Sequence, residues 1–132
     1  MSRVPRSQEH LKTGFSGEAS SAARFRAYAQ AAQLEGLPNL AKRWLELAGA
    51  KDELAIRQLV AAGQVRGADR GIADALAEDR FENDVLYPKM IRDLGADDAA
   101  DVFREVVAAQ ESHIDQLDDL RKQLQGASGD ID

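Results

Sequence analysis

Four stretches of this chain place apolar or core-facing residues at alternate spacings of four and three, and glycine or proline stands between each stretch and the next. That spacing lays one stripe along one face of an α-helix, a period that a β-strand cannot use. The first stripe is Leu11, Phe15, Glu18, Ala22, Phe25 and Ala29, and the second is Leu40, Trp44, Leu47, Lys51 and Leu54. The third is Ile72, Leu76, Asp79, Glu82 and Leu86, and the fourth is Ala99, Phe103, Val106, Gln110, His113, Leu117 and Leu120. Punctuation residues set the predicted bounds. Ser7 is read as an N-cap after Pro5, with helix to Leu34, and Gly36 then Pro38 form a stop and a fresh start. A second helix runs to Ala62 before Gly63, and a third from Asp69 to Leu86, where Pro88 ends or kinks it. A short segment, Lys89 to Leu94, leads to Gly95, and Asp97 or Asp98 starts a fourth helix that reaches Gln125.

These elements predict an all-α fold, a four-helix bundle over residues 7–125 with a short extra helical segment between helices three and four. Residues 1–6 are read as a flexible N-terminus and 126–132 as a disordered C-terminal tail. The composition agrees. Of 132 residues none is cysteine, which excludes disulfides, thiolate metal sites and thiol nucleophiles. The net charge of -6, with basic residues dispersed, speaks against nucleic acid as a partner. No apolar run approaches the roughly 20 residues that span a bilayer, and no signal-peptide pattern opens the chain. The expectation is a soluble cytoplasmic protein.

Every stripe is interrupted near its middle by polar residues. Glu18, Lys51, Asp79, Glu82, Gln110 and His113 all stand at core-facing positions close to the midpoint of a helix. In an antiparallel bundle the midpoints share one layer, so these side chains are expected to converge. A charge on a stripe can also reach water along a helix edge. Where it is buried, it has to pair, titrate or bind metal, because an isolated buried charge is unstable. His10 reads as a surface residue, Trp44 as core, and no glycine-rich phosphate loop or serine–histidine pairing is present.

The order of residues resembles a known family. Gly17-Glu18-Ala19-Ser20-Ser21-Ala22-Ala23-Arg24-Phe25, with Ala29 and then Glu35-Gly36 before Pro38, is similar to the first helix and turn of rubrerythrins. Ala41-Lys42-Arg43-Trp44 resembles the start of their second helix, and Asp79-Arg80-Phe81-Glu82 followed by Leu86-Tyr87-Pro88 resembles their third. Ala109-Gln110-Glu111-Ser112-His113 is similar to their closing Glu-x-x-His motif, with glutamine replacing the glutamate. The resemblance covers residues 7 to 120. It implies a ferritin-like antiparallel four-helix bundle, a homodimer, and a di-iron carboxylate centre that reduces peroxide or reacts with dioxygen. By the same resemblance Glu18, Asp79, Glu82 and His113 match metal ligands, with Asp79 a methylene shorter than the family's glutamate. Tyr87 would hydrogen-bond a carboxylate of the site.

Three positions depart from that pattern: Lys51 and Gln110 stand where the bridging glutamates belong, and Leu54 where a histidine would follow. The family's four-cysteine rubredoxin module is absent. Hard cations need negative charge, and two of them side by side need bridging anions to screen their repulsion. Here three acids face one ammonium, so an intact di-iron centre is not expected. Lys51 is expected to donate to Glu18 and to Asp79 or Glu82, with Gln110 and His113 completing the network. Three readings follow. One is a rubrerythrin-like oxidoreductase with an altered centre holding no metal or a single Fe, Mn or Zn ion, its electron donor unspecified. Another is a metal-free bundle whose lysine–carboxylate core serves binding or assembly. The last is an iron-handling protein of the ferritin type.

Overall fold

The computed structural model describes residues 5–132, so residues 1–4 of the expected flexible N-terminus lie outside the described residues. The described residues contain helices and turns and no strand. They form α1 (Arg6–Leu34), α2 (Pro38–Ala61), α3 (Ala68–Phe81), α4 (Tyr87–Leu94) and α5 (Ala99–Gly126), with a π-helical turn, Glu82–Leu86, joining α3 to α4. They divide into two compact units, Met1–Val65 and Arg66–Asp132. No helix among the described residues is long and apolar enough to cross a membrane.

The first unit is a helical hairpin. Its opening differs from the expected cap: α1 starts at Arg6, Ser7 lies within the first turn, and no side chain caps the end. Pro5 takes the half-in position instead, because its extended backbone (φ -56, ψ 140) aims its carbonyl at the Glu9 N–H, 3.1 Å away. The far end of α1 closes as the glycine signal predicts. The Leu37 N–H donates to the Ala32 carbonyl at 2.9 Å and the Gly36 N–H to the Gln33 carbonyl at 3.1 Å, a Schellman pair with Gly36 at φ +77. Pro38 then begins α2, where its missing N–H is of no consequence. The end of α2 repeats the device, with Gly63 at φ +74 and the Gln64 N–H on the Leu59 carbonyl.

Across the hairpin, contacts run in antiparallel order. The Gln8 side-chain amide donates to the Ala62 carbonyl at 2.8 Å, Glu18 meets Lys51, Phe25 packs on Trp44, and Ala29 and Ala32 meet Ala41. The buried seam is alanine: Ala22, Ala29 and Ala32 from α1 face Ala41, Ala48 and Ala55 from α2 and Ala62 at its C-cap, the last four spaced seven apart. A seven-residue repeat keeps a seam facing its partner along two shallowly crossed helices. Small side chains let the backbones approach, and Gly14 shows how closely, since a Cβ there would strike the Gln58 side-chain amide. Trp44 and Lys51 of the second stripe face α1, and at its three leucine positions the alanine one residue on is buried instead. Leu40, Leu47 and Leu54 stay 47%, 51% and 44% exposed on the flank of the alanine seam. Closeness of approach, more than side-chain size, decides which face of α2 goes inward.

In the second unit α3, the π turn and α4 run on as one helix through Pro88, which neither ends nor breaks it. A proline inside a regular α-helix removes one donor and drives its ring into the carbonyl four residues back. Here a widened turn stands directly before Pro88 instead of a regular α-helical one. α5 packs antiparallel to this helix through Arg80 on Asp118, Asn83 on Val107 and Tyr87 on Phe103. Leu76 and Ala100 are its fully buried residues. Asp97 serves the start of α5, accepting from the Ala99 N–H at 2.8 Å. After Gly126 the chain leaves the helix, and Ile131 comes partly buried beside Ile72, Leu120 and Leu124.

Candidate functional site

Glu18 and Lys51 meet in the first unit. Each sits on the alanine-lined side of its helix, one turn from a buried alanine, so the close seam brings their side chains together. Lys51 Nζ lies 2.9 Å from Glu18 Oε2, with the side chains 32% and 27% exposed. The Oε2 atom itself is shut from solvent and accepts no well-aligned hydrogen bond, so the pairing is a direct charge contact with the ammonium. On the flank, Arg26 pairs with Asp52. Nearer the turn, Trp44 packs against Phe25 and Tyr28 at centroid distances of 5.0 and 5.1 Å, which makes it part of the hairpin core. Leu54 is half exposed and supplies no donor.

Asp79, Glu82 and Tyr87 belong to the second unit. Asp79 and Glu82 are half-buried on one side of the α3–π helix. Burial first, then the charge of Glu82, a hydrogen bond with it, and the charge of Asp79 push the Tyr87 phenol above its ordinary range. The Tyr87 ring also lies 5.6 Å from that of Phe103 on α5. Gln110 stands one turn along α5 from Val107, half-buried, with its Oε1 shut from solvent and without a donor.

His113 lies apart from these groups. It is exposed on α5, and the inward face of that helix passes from Gln110 to Ile114 and Leu117 instead. The step after Gln110 is four residues, so the imidazole points away from the side that α3 covers. Sequence reasoning also missed Asn83, the one buried polar residue among those described, at 8% exposure. Its Nδ2 donates to the Val107 carbonyl at 2.9 Å, and its Oδ1 is buried without a partner. The signal was present: Leu76, Asp79 and Asn83 continue the three-and-four spacing, and the choice of Glu82 as the next inward residue concealed it.

Among the described residues no group of three or more histidine, aspartate or glutamate side chains is close enough to hold a metal ion. The residues do not fit a di-iron centre. The Glu18 carboxylate is engaged by an ammonium, Lys51 and Gln110 carry no carboxylate, Leu54 has no donor atom, and His113 is exposed. No family model matches the chain. A search of curated proteins finds no match either.

Proposed function

We propose that this chain is a rubrerythrin-like member of the ferritin-like superfamily in which the peroxide- or dioxygen-reducing chemistry is lost and a lysine–carboxylate pair takes the place of metal. The reading is supported above all by the contact of Lys51 Nζ with Glu18 Oε2 at 2.9 Å. A carboxylate already neutralised by an ammonium has little charge left for a hard cation, and the ammonium repels that cation directly. What remains is a cytoplasmic, dimeric antiparallel four-helix bundle with a binding or assembly role. The half-buried acids Asp79 and Glu82, three residues apart along one helix, favour a second reading, in which one Fe, Mn or Zn ion is held there.

Metal content by mass spectrometry, on protein purified under iron-replete conditions, decides between them. Iron, manganese and zinc far below one per chain are expected. One ion per chain carries the second reading, and two irons per chain with a ferric-oxo absorbance overturn both. The double change Lys51→Glu with Gln110→Glu should raise iron binding over the parent; no increase means that these are not the bridging positions. Sedimentation is expected to give a dimer, and a monomer at micromolar concentration removes that part of the proposal.

A further inference from the structure

In an α-helix each residue turns about 100° from the last, so Glu82 and Tyr87, five apart, would point roughly 140° away from each other. They do not, because the backbone between them is not α-helical. The Tyr87 N–H donates to the Glu82 carbonyl, a five-residue step that puts one extra residue into the turn. The extra residue brings position i+5 back beneath position i. Tyr87 thereby stands on the side of the helix that carries Glu82, while its ring keeps contact with that of Phe103 at 5.6 Å.

Two features favour the wide turn. Pro88 follows it directly, and in a regular α-helix its ring would meet the Asp84 carbonyl, which would also lose its donor. Asn83, inside the turn and almost wholly buried, is tied to α5 by its 2.9 Å hydrogen bond to the Val107 carbonyl. Regular closure of the turn would rotate Asn83 relative to α4 and break or strain that bond.

We propose that the Glu82–Leu86 π turn is a register device whose one extra residue carries Tyr87 round to the face holding Asp79 and Glu82, with Asn83 as the positioning residue that keeps the turn open from α5. The inference stands apart from the functional reading above, since it concerns where the phenol stands whether or not the acids meet a metal.

The test uses the full chain carrying Tyr28→Phe, so that Tyr87 is the sole tyrosine. Nuclear Overhauser cross-peaks from the Tyr87 ring to the Glu82 side chain and to the Phe103 ring are expected in this parent. The double change Asn83→Ala with Pro88→Ala keeps the length and lets the helix close into regular turns. It should retain far-UV helicity and lose the Tyr87–Glu82 cross-peak. Deleting Val85 from that double variant puts Tyr87 four residues after Glu82, which an α-helix places on one face, so the cross-peak should return. A loss of packing alone would not be reversed by shortening the chain. A Tyr87–Glu82 cross-peak that persists in the folded double variant, or fails to return on deletion, overturns the proposal. If the double variant does not fold, deletion of Val85 from the parent decides: a retained cross-peak supports the device, and its loss overturns it.

Discussion

The two units solve the same problem, holding two antiparallel helical arms together, with opposite means. The first does it with alanine. Its seam contains no large side chain buried outright, and stability comes from close approach along alanines seven apart on α2 and its C-cap, with a glycine-ended Schellman closure on each helix. The second relies on one fully buried leucine, Leu76, an aromatic pair, and a buried amide inside a helix with a π turn. A seam of small residues tolerates nothing larger, whereas a core centred on one large residue tolerates nothing smaller. The polar residues follow the same division: a charge pair in the tight seam, and acids with a phenol beside the irregular turn.

The largest effect should come from Leu76→Ala, which removes the main buried side chain of its unit and is expected to destabilise it by about 2–5 kcal/mol. Amide exchange along α3 and α5, with α1 and α2 as internal reference, reads it; a loss below 1 kcal/mol would mean that Leu76 is not the centre of that core. Ala48→Leu tests the other half. Ala48 is completely buried, and the added bulk should push the seam apart at about 1–3 kcal/mol, visible as altered Trp44 fluorescence and faster exchange in α1 and α2. An unchanged or raised stability would show that the seam has room, and would end the contrast between the halves.

Gly36→Ala puts a Cβ on a residue at φ +77, and about 1 kcal/mol of loss in thermal stability is expected. Tyr87 adds an alkaline effect. Its phenol holds its proton more tightly folded than unfolded, so the native state binds the extra proton and stability falls as pH rises from about 10 upward, being fully present below that. Denaturant titrations at rising pH should show this decline in the parent and a shallower one in Tyr87→Phe. Smallest is Arg80→Ala. Its Nη2 donates to both carboxylate oxygens of Asp118 at 2.7 and 2.9 Å in an exposed contact, and less than about 1 kcal/mol should be lost, diminishing further in salt.

Much of the helical layout was legible in the chain because its signals are local. Gly36, Pro38 and Gly63 act through backbone dihedrals that depend on neighbours a few residues away, and the structure closes α1 and α2 on them. Pro88 was read from the same kind of local signal as an end or a kink, and the helix does not end there: it runs on through a wider turn whose Asn83 is tied to Val107, twenty-four residues on. The face of α2 misled differently: hydropathy ranks Leu47 above Ala48, yet the partner helix sits close enough to bury the alanine and leave the leucine half exposed. Of the candidate site, the Glu18–Lys51 meeting followed from stripe position, whereas His113 was turned outward by a single four-residue step.

Sequence alone settled where helices begin and end at their glycines, that all the ordered elements are helical, and that a lysine stands where the resemblance calls for a carboxylate. Tertiary structure decided which side of each helix is inside, that Lys51 neutralises Glu18, and that an extra residue in one turn brings Tyr87 to Glu82. Caps and turns are won or lost within one turn of chain, where the competing conformations differ by local sterics. Facing, pairing and register depend on how near another helix can come, and that distance is set by residues remote in sequence.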